Sequence, residues 1–175
     1  MTPLNPAQTS VLALIRKIFV QFPHLAYVDE VWVAAHVRVE SGFNAAAIGD
    51  HGSLGLMQVL PSTARDMGEV GSQLDPEISL RTGIKYLDFC TRDIIRVWNA
   101  KYGHVNSVAR SAVVEAYNEG QAAVEAGKHD DVYWYKVYAA WMILSAQIAA
   151  VHVLTTHTIP PTPSKHMTVT PYVGA

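Results

Sequence analysis

One glutamate, Glu40, stands directly ahead of a glycine-bearing loop in the stretch VRVESGFNAAAIGDHGSLGLMQVLPSTA, residues 37–64. If the residues before it form a helix, Glu40 lies in the last turn, beside backbone carbonyls that carry partial negative charge. That position disfavours an ionised carboxyl, and partial burial acts in the same direction, so we expect a raised pKa for Glu40. A carboxylic acid that stays protonated near neutral pH can protonate a poor leaving group, such as a glycosidic oxygen.

The loop after Glu40 has residue types suited to an uncharged, hydroxyl-rich ligand. Ser53 and Gln58 offer neutral donors and acceptors for hydroxyl and acetamido groups, and Asp50 adds a second carboxylate. Three glycines allow tight turns and the close approach of a ligand: Gly49, Gly52 and Gly55. A phosphate-binding loop is excluded, because no Gly-Lys-Ser or Gly-Lys-Thr follows these glycines.

The pattern of apolar residues predicts a mainly α-helical chain. Apolar residues recur at helical spacing in five segments: 6–22, 61–67, 76–101, 106–120 and 130–154. The segment 31–40 leaves two alternatives open. Its alternation and its β-branched residues favour a strand, whereas Asp29 before it and Ser41-Gly42 after it are typical of the two ends of a helix.

The composition limits the classes of function. The 175 residues are half apolar and 16% charged, which predicts one globular domain. A net charge of −2 and scattered lysines and arginines argue against nucleic acid as a partner. The single cysteine, Cys90, excludes an intrachain disulfide framework, and its apolar surroundings indicate a buried side chain. Eight histidines lack ligand-like spacing, so neither a metal nor another cofactor is predicted.

The C-terminal part of the chain lacks charge. No Asp, Glu, Lys or Arg lies between Lys136 and Lys165, and residues 155–175 are rich in threonine and proline. We therefore predict one domain over 1–154 and an extended tail over 155–175. The apolar stretch 138–154 is shorter than the about 20 residues that span a bilayer. A buried closing helix is the preferred interpretation, and membrane contact or attachment to a larger assembly is the less favoured one.

Three motifs occur in the order that one enzyme family has them. Glu40-Ser41 is followed by Phe43-Asn44, then by Gly-Leu-Met-Gln at 55–58 and Pro-Ser-Thr-Ala at 61–64. Downstream come Ala-Tyr-Asn-Glu-Gly at 116–120 and a tyrosine followed four residues later by valine, at 133 and 137. From about residue 28 to 140 the chain resembles the lysozyme-like lytic transglycosylases, the soluble lytic transglycosylase catalytic-domain family to which goose-type lysozymes are related.

The resemblance implies a mainly α-helical, lysozyme-like fold with a small irregular or β loop region after the catalytic helix. It implies a peptidoglycan lytic transglycosylase without cofactor. Glu40 would protonate the glycosidic oxygen between N-acetylmuramic acid and N-acetylglucosamine, then act as base on the muramoyl C6 hydroxyl, which closes on C1 as a 1,6-anhydro end. The remaining roles that the resemblance implies are substrate contact or loop ordering by Gln58, groove lining by Met57, a hydrogen bond near the reacting centre by Tyr117, backbone support by Asn118 and closure of the far wall by Tyr133.

Two features depart from the simplest form of this interpretation. Many family members have a serine nine residues after the glutamate, where this chain has Gly49, so Ser53 is the candidate substitute donor to the acid. The loop Gly-Asp-His-Gly at 49–52 also resembles goose-type lysozymes, in which the aspartate matching Asp50 positions a hydrolytic water. Hydrolysis by Glu40 and Asp50 is therefore the alternative within the class, and the transglycosylase is favoured.

An inactive structural component is the alternative from another class: a virion or wall-binding protein whose activity has decayed. The first ten residues, MTPLNPAQTS, do not look like a signal peptide. We therefore expect a bacteriolytic, antimicrobial phage enzyme that acts in the periplasm or at the cell wall. It would be virion-associated or released during lysis, and its C-terminal region would contact virion or secretion-machine proteins.

Overall fold

The computed structural model describes residues 2–25, 28–102, 107–120, 124, 126–127, 130–156 and 166–168. These residues are mainly helical, as the sequence predicts. In chain order the elements are α1 (Pro6–Gln21), a 3₁₀ turn (Pro23–Leu25), α2 (Glu30–Ser41), α3 (Pro61–Asp66), α4 (Pro76–Tyr102), β1 (Ser107–Ala109), α5 (Arg110–Glu119), α6 (Asp131–Thr156) and β2 (His166–Thr168).

Helix α2 settles the segment that the sequence left open between strand and helix. The Asp29 side chain accepts a hydrogen bond from the Trp32 backbone N–H at 2.8 Å, and Gly42 ends the helix in the left-handed conformation at φ 60°. Every residue from Trp32 to Val37 is buried. Because this stretch of the helix is enclosed on all sides, its apolar residues are not confined to one helical face. The alternation of apolar residues in the sequence therefore did not indicate a strand.

A small irregular region follows α2, as predicted. It carries two isolated β-bridges, Ile48 with Leu54 and Leu54 with Val59. Gly55 turns the chain here at φ 75°, and a Cβ on it would lie 1.8 Å from the carbonyl oxygen of Gln73. A glycine is therefore required where the loop passes the segment that precedes α4.

Helices α4, α5 and α6 differ modestly from their predicted ranges. Residues 107–109 pair as β1 with β2 in antiparallel register, Ser107 opposite Thr168, so α5 begins at Arg110 and not at 106.

Cys90 on α4 is fully buried, which confirms the prediction, and burial raises the pKa of its thiol to about 12. Helix α6 ends at Thr156, past the predicted end at 154.

The C-terminal helix has one buried and one exposed apolar face. Val137, Ala140, Leu144 and Ile148 pack into the core. Within the part of the chain that the structure describes, no helix combines the length and apolarity needed to cross a membrane. Residues 157–165 and 169–175 of the predicted tail lie outside the described residues, so the division at 154 stays a prediction.

Asp29 offers a test of what holds the N-terminal end of α2. Besides capping the helix it pairs with Arg110 at 2.9 Å. We expect Asp29→Ala to lower the free energy of unfolding by about 1–2 kcal/mol, because the cap and the ion pair are both lost. Asp29→Asn keeps a side-chain oxygen for the cap, and it should lose less than half as much. Urea denaturation measures both, and equal losses would contradict the capping role.

Candidate active site

The last turn of α2 places the Glu40 carboxyl against the first turn of α6. The Tyr133 hydroxyl donates a hydrogen bond to Glu40 Oε1. Tyr133 is itself held at the start of α6, where its backbone N–H donates to Asp130 Oδ1 at 2.9 Å. The two residues are 93 positions apart in the sequence, so the packing of α6 on α2 creates this pair.

Burial raises the pKa of Glu40 from its ordinary value of 4.5 to about 7, and the hydrogen bond from Tyr133 acts in the opposite direction. The sequence predicted the direction of this shift. The structure assigns burial as its main cause, because removal from water disfavours the charged form. Near neutral pH, protonated and ionised Glu40 therefore coexist. This is the state in which one carboxyl can give a proton and later take one back.

Tyr117 and Tyr133, the two tyrosines near Glu40, do not titrate in the pH range in which Glu40 does. Burial is the largest cause that raises the pKa of Tyr133 and of Tyr117 well above 10.0, and the charge of Glu40 raises both further. Tyr133 therefore remains a hydrogen-bond donor at every pH at which Glu40 changes its charge. The resemblance implied that Tyr133 closes the far wall of a groove; its hydroxyl contacts the Glu40 carboxyl directly, and the wall role stays a prediction.

Backbone atoms of the loop are fastened to three helices. Ser41 Oγ on α2 donates to the carbonyl of Leu56 at 2.9 Å, and Tyr117 on α5 donates to the carbonyl of Met57 at 2.8 Å. Ser79 Oγ on α4 accepts a hydrogen bond from the Met57 N–H at 3.2 Å. The position of the loop relative to Glu40 is thus set by side chains that hold its main chain.

Met57 does not line an open groove, contrary to what the resemblance implied. Its side chain is fully buried, and a Cβ on Gly83 of α4 would lie 2.5 Å from it. An unbranched, flexible side chain fills this space against the glycine of the helix. The Tyr117 hydroxyl donates to the Met57 carbonyl oxygen, and its implied role near the reacting centre stays a prediction.

Gln58 orders the loop from within. It adopts φ 47°, which is uncommon for a residue other than glycine. Its Nε2 donates to the carbonyls of Gly55 at 2.8 Å and Ala47 at 3.3 Å, and its Oε1 accepts from Ser53 Oγ at 2.8 Å. Of the two roles that the resemblance left for Gln58, these contacts match loop ordering.

Gly49 is explained by the same contacts. A Cβ at position 49 would lie 2.2 Å from Ser53 Oγ and 2.6 Å from Gln58 Oε1. The Ser53 hydroxyl therefore occupies the space that a side chain at 49 would need. Ser53 was expected to donate to the acid, but its described hydrogen bond goes to Gln58.

A cavity of about 300 Å³ lies beside this loop. Its walls combine the loop, α3, α4 and the end of α5: Gln58, Val59, Leu60, Thr63, Tyr86, Tyr117, Asn118, Glu119 and Gly120. Glu40 is not among these residues, and Tyr117 connects the two places, since its ring lines the cavity and its pKa responds to the charge of Glu40. Sequence reasoning did not single out Thr63 as a site residue, although it belongs to the Pro-Ser-Thr-Ala motif, and it missed Tyr86, which belongs to no motif.

Asn118 and Asp130 join the end of α5 to the beginning of α6. Asn118 Nδ2 donates to Asp130 Oδ2 at 3.0 Å, while the other oxygen of Asp130 accepts from the Tyr133 N–H. Sequence reasoning named Asn118 and missed Asp130. An aspartate directly before an apolar helix is a capping signal that would have found it.

The remaining candidates have simpler surroundings. Asp50 is exposed in the loop. His36 is fully buried one turn before Glu40, with Nδ1 2.9 Å from the Trp32 carbonyl oxygen, and burial lowers its pKa to about 4. Within the described ranges, no group of three or more His, Cys, Asp or Glu side chains is arranged to hold a metal ion.

Comparison with known proteins agrees with this arrangement of motifs. The family model described as "Transglycosylase SLT domain" matches residues 24–133, more than half of the chain. The chain belongs to the SLT transglycosylase domain family. The matched range contains every candidate site residue named above, from Glu40 to Tyr133.

Two curated relatives of this SLT domain are named membrane-bound lytic murein transglycosylase C. The protein of Photorhabdus laumondii is 32% identical over an alignment of 124 residues, and the match covers 65% of this chain and 32% of the relative. The protein of Sodalis glossinidius is 33% identical over 124 residues, with the same coverage of 65% and 32%. The chain thus spans about a third of the length of these relatives.

The fold of the SLT domain is that of a solved lytic transglycosylase. The structure of an inactive mutant of lytic transglycosylase Slt from Pseudomonas aeruginosa superposes with a TM-score of 0.50 at 21% sequence identity. The match covers 85% of this chain and 25% of that protein. At this level of identity the likeness concerns the fold, and it confirms the predicted mainly helical, lysozyme-like architecture.

The Ser53–Gln58 hydrogen bond can be tested by moving the serine hydroxyl from position 53 to position 49. We expect Gly49→Ser to lower the melting temperature and destabilise the SLT domain by about 1–3 kcal/mol, because the new side chain has no room. Ser53→Ala removes the donor to Gln58, at about 1 kcal/mol. In the double variant the hydroxyl at 49 takes the vacated space, so its stability should exceed that of Gly49→Ser. A double variant less stable than either single variant would contradict the shared space.

Replacing Glu40 should change how stability depends on pH. A folded-state pKa of about 7 against 4.5 in the unfolded chain means that the folded form binds the proton more tightly. The proton bound by Glu40 therefore adds to the free energy of unfolding below about pH 4.5, and this addition is lost as the pH rises through about 7. After allowance for partial exposure, we expect Glu40→Gln to gain on the order of 2 kcal/mol relative to wild type between about pH 4 and pH 8.

Denaturant unfolding of both proteins at the two pH values measures this gain. The comparison at the acidic pH is the internal control, because both folded proteins are neutral at position 40 there. An equal stability difference at both pH values would mean that the buried carboxyl ionises with its ordinary pKa.

Proposed function

We propose that this protein is a peptidoglycan lytic transglycosylase. It cleaves the β-1,4 bond between N-acetylmuramic acid and N-acetylglucosamine and leaves a 1,6-anhydromuramic end, with Glu40 as acid and base. The observation that carries the proposal is a partly buried carboxyl with a pKa of about 7 that accepts a hydrogen bond from a tyrosine, inside an SLT domain. The names of the two relatives support murein as the substrate.

The proposed reaction uses one carboxyl twice. Protonated Glu40 gives its proton to the glycosidic oxygen, and the bond from that oxygen to C1 breaks. The carboxylate that remains accepts the proton of the C6 hydroxyl while O6 bonds to C1, which restores the acid without adding water. Tyr133 donates to Glu40 throughout, and this hydrogen bond strengthens when its acceptor becomes charged.

The other site residues act in this proposal by position. Ser53 and Gln58 hold the loop in shape, and Met57 contributes its backbone to the attachment of Tyr117. Asn118 and Gln58 line the cavity beside the loop, where their amides suit the hydroxyl and acetamido groups of a sugar. No metal or other cofactor takes part in the proposed steps.

Cell-wall contact and delivery are further parts of the proposal. We place the site of action at peptidoglycan in the periplasm or cell wall, with lysis of bacteria as the result and antimicrobial action as its consequence. Delivery by a phage particle, release in a phage lysis pathway or attachment to a secretion machine is supported by exposed apolar side chains on α6, among them Val132, Tyr135, Met142 and Ile143. These side chains offer a surface for another protein.

Mass spectrometry of the fragments released from purified peptidoglycan tests the chemistry. Wild type should release products lighter by one water than hydrolytic ones, more slowly near pH 8 than near pH 5, because the acid must be protonated. Glu40→Gln should release none, while Asp50→Asn should cleave like wild type.

Other results would select the alternatives. Hydrolytic products lost in both variants would make this a lysozyme that uses Glu40 and Asp50. No release by wild type, with binding to peptidoglycan retained by Glu40→Gln, would leave the structural wall-binding role.

A further inference from the structure

A second cavity, of about 680 Å³, lies on another side of α2. It is enclosed by the N-terminal segment, the end of α2 and the second half of α6; the lining residues that matter here are Thr2, Asn5, Arg38, Phe43, Ile143 and Gln147. Arg38 and Glu40 are two positions apart on one helix, so their side chains point about 200° away from each other. Neither Glu40 nor any residue that lines the cavity beside the loop belongs to this one.

Gln147 lines this cavity and carries a buried acceptor without a partner. The residue is 7% exposed, and its Nε2 donates to the Thr2 carbonyl oxygen at 2.9 Å. Its Oε1 is buried and has no hydrogen-bond partner among the described residues. The orientation of the amide is fixed, since the Thr2 carbonyl can only accept. A buried acceptor without a donor is costly, so this oxygen calls for an N–H or O–H group from a ligand.

Arg38 brings a positive charge to the same cavity. Within the described part of the chain its guanidinium has neither an ion pair nor a hydrogen bond, whereas Arg16, Arg81 and Arg110 each pair with a carboxylate. Among the described residues that line the cavity there is no Asp or Glu. A guanidinium is charged at every physiological pH, and its planar fork fits a carboxylate. The cavity therefore favours a ligand that carries an anionic group for Arg38 and an N–H or O–H donor for Gln147 Oε1.

The remaining wall of the cavity is apolar. Phe43 lies at its edge with φ 68°, a left-handed backbone conformation that is costly for an aromatic residue. Ile143 is 46% exposed here. Both can cover small apolar groups of a ligand that also carries the anion and the donor.

We propose that this cavity binds the carboxyl-terminal end of a short peptide with small apolar side chains. The terminal carboxylate pairs with Arg38, the last amide N–H donates to Gln147 Oε1, and the side-chain methyl groups lie against Phe43 and Ile143. Free peptides and the peptide branches of peptidoglycan share this chemistry. The branch as source rests on the proposed function, because it would place a peptide-reading site next to the helix that carries the acid.

Binding can be measured without turnover. The probe is acetyl-alanyl-alanine, in its L and D forms, titrated into the full chain by NMR or calorimetry. Wild type and Glu40→Gln should bind one form saturably. Arg38→Gln should weaken it by about tenfold or more through loss of the charge-assisted pair, and amidation of the probe's carboxyl should weaken it as much. Arg65→Gln, an exposed arginine on α3 that does not line the cavity, is the matched control and should bind like wild type.

A second variant guards against misfolding as the cause of lost binding. Ile143→Glu changes a half-exposed residue and adds a negative charge to the wall, so it should abolish binding without lowering the melting temperature. The proposal is overturned if wild type shows no saturable binding at millimolar probe. It is equally overturned if Arg38→Gln or Ile143→Glu binds like wild type, or if inorganic phosphate displaces the probe at equal concentration.

Cleavage assays distinguish the two sources of the peptide. If the branch is the ligand, Arg38→Gln should cleave peptide-bearing glycan less well than wild type and peptide-free glycan equally well. Equal activity on both glycans would reject the branch as the source and assign the site to free peptides. If wild type cleaves neither glycan, the proposed function fails, and the binding experiment still decides the site.

Discussion

The hydrogen bond between Tyr133 and Glu40 is the contact on which the candidate site depends. It joins α6 to α2, the two helices with the most extensive mutual packing among the described elements. Burial makes the carboxyl hold its proton, and the tyrosine moderates that effect by favouring the charged form. The two influences leave the pKa of Glu40 near neutrality. A site with burial alone would keep the proton too firmly, and a solvated carboxyl would have lost it.

The motifs that identify the family act largely on the main chain. In the Gly-Leu-Met-Gln segment, Gly55 leaves room for the Gln73 carbonyl. The carbonyl of Leu56 accepts from Ser41, and that of Met57 accepts from Tyr117. The Gln58 side chain donates to the backbone of its own loop. These residues shape the surroundings of the acid without supplying a second reactive group. Many of the motif positions around Glu40 therefore make contacts that hold the loop in place.

Local signals in the sequence were sufficient to predict the helices and the direction in which the pKa of Glu40 is shifted. Asp29 and Gly42 marked both ends of α2, and the helical spacing predicted the long helices, because caps and stripes depend on neighbours in the chain. The partner of Glu40 was beyond such reasoning, since Tyr133 meets it only through tertiary packing. The same holds for Met57, whose burial depends on the absence of a side chain at Gly83. The Ser53–Gln58 bond that excludes a side chain at 49 was equally hidden, although all three residues belong to one loop.

Asp130 has a consequence for how this domain can vary. One of its oxygens holds the first turn of α6 and the other holds Asn118 at the end of α5. The two ends of the connection between these helices are therefore fastened to each other by a single side chain. Together with the direct packing of α5 on α6, this carboxylate fixes the spacing of Tyr117 and Tyr133. A change in the length or composition of the connecting segment that keeps these two hydrogen bonds is therefore expected to leave the surroundings of Glu40 unchanged.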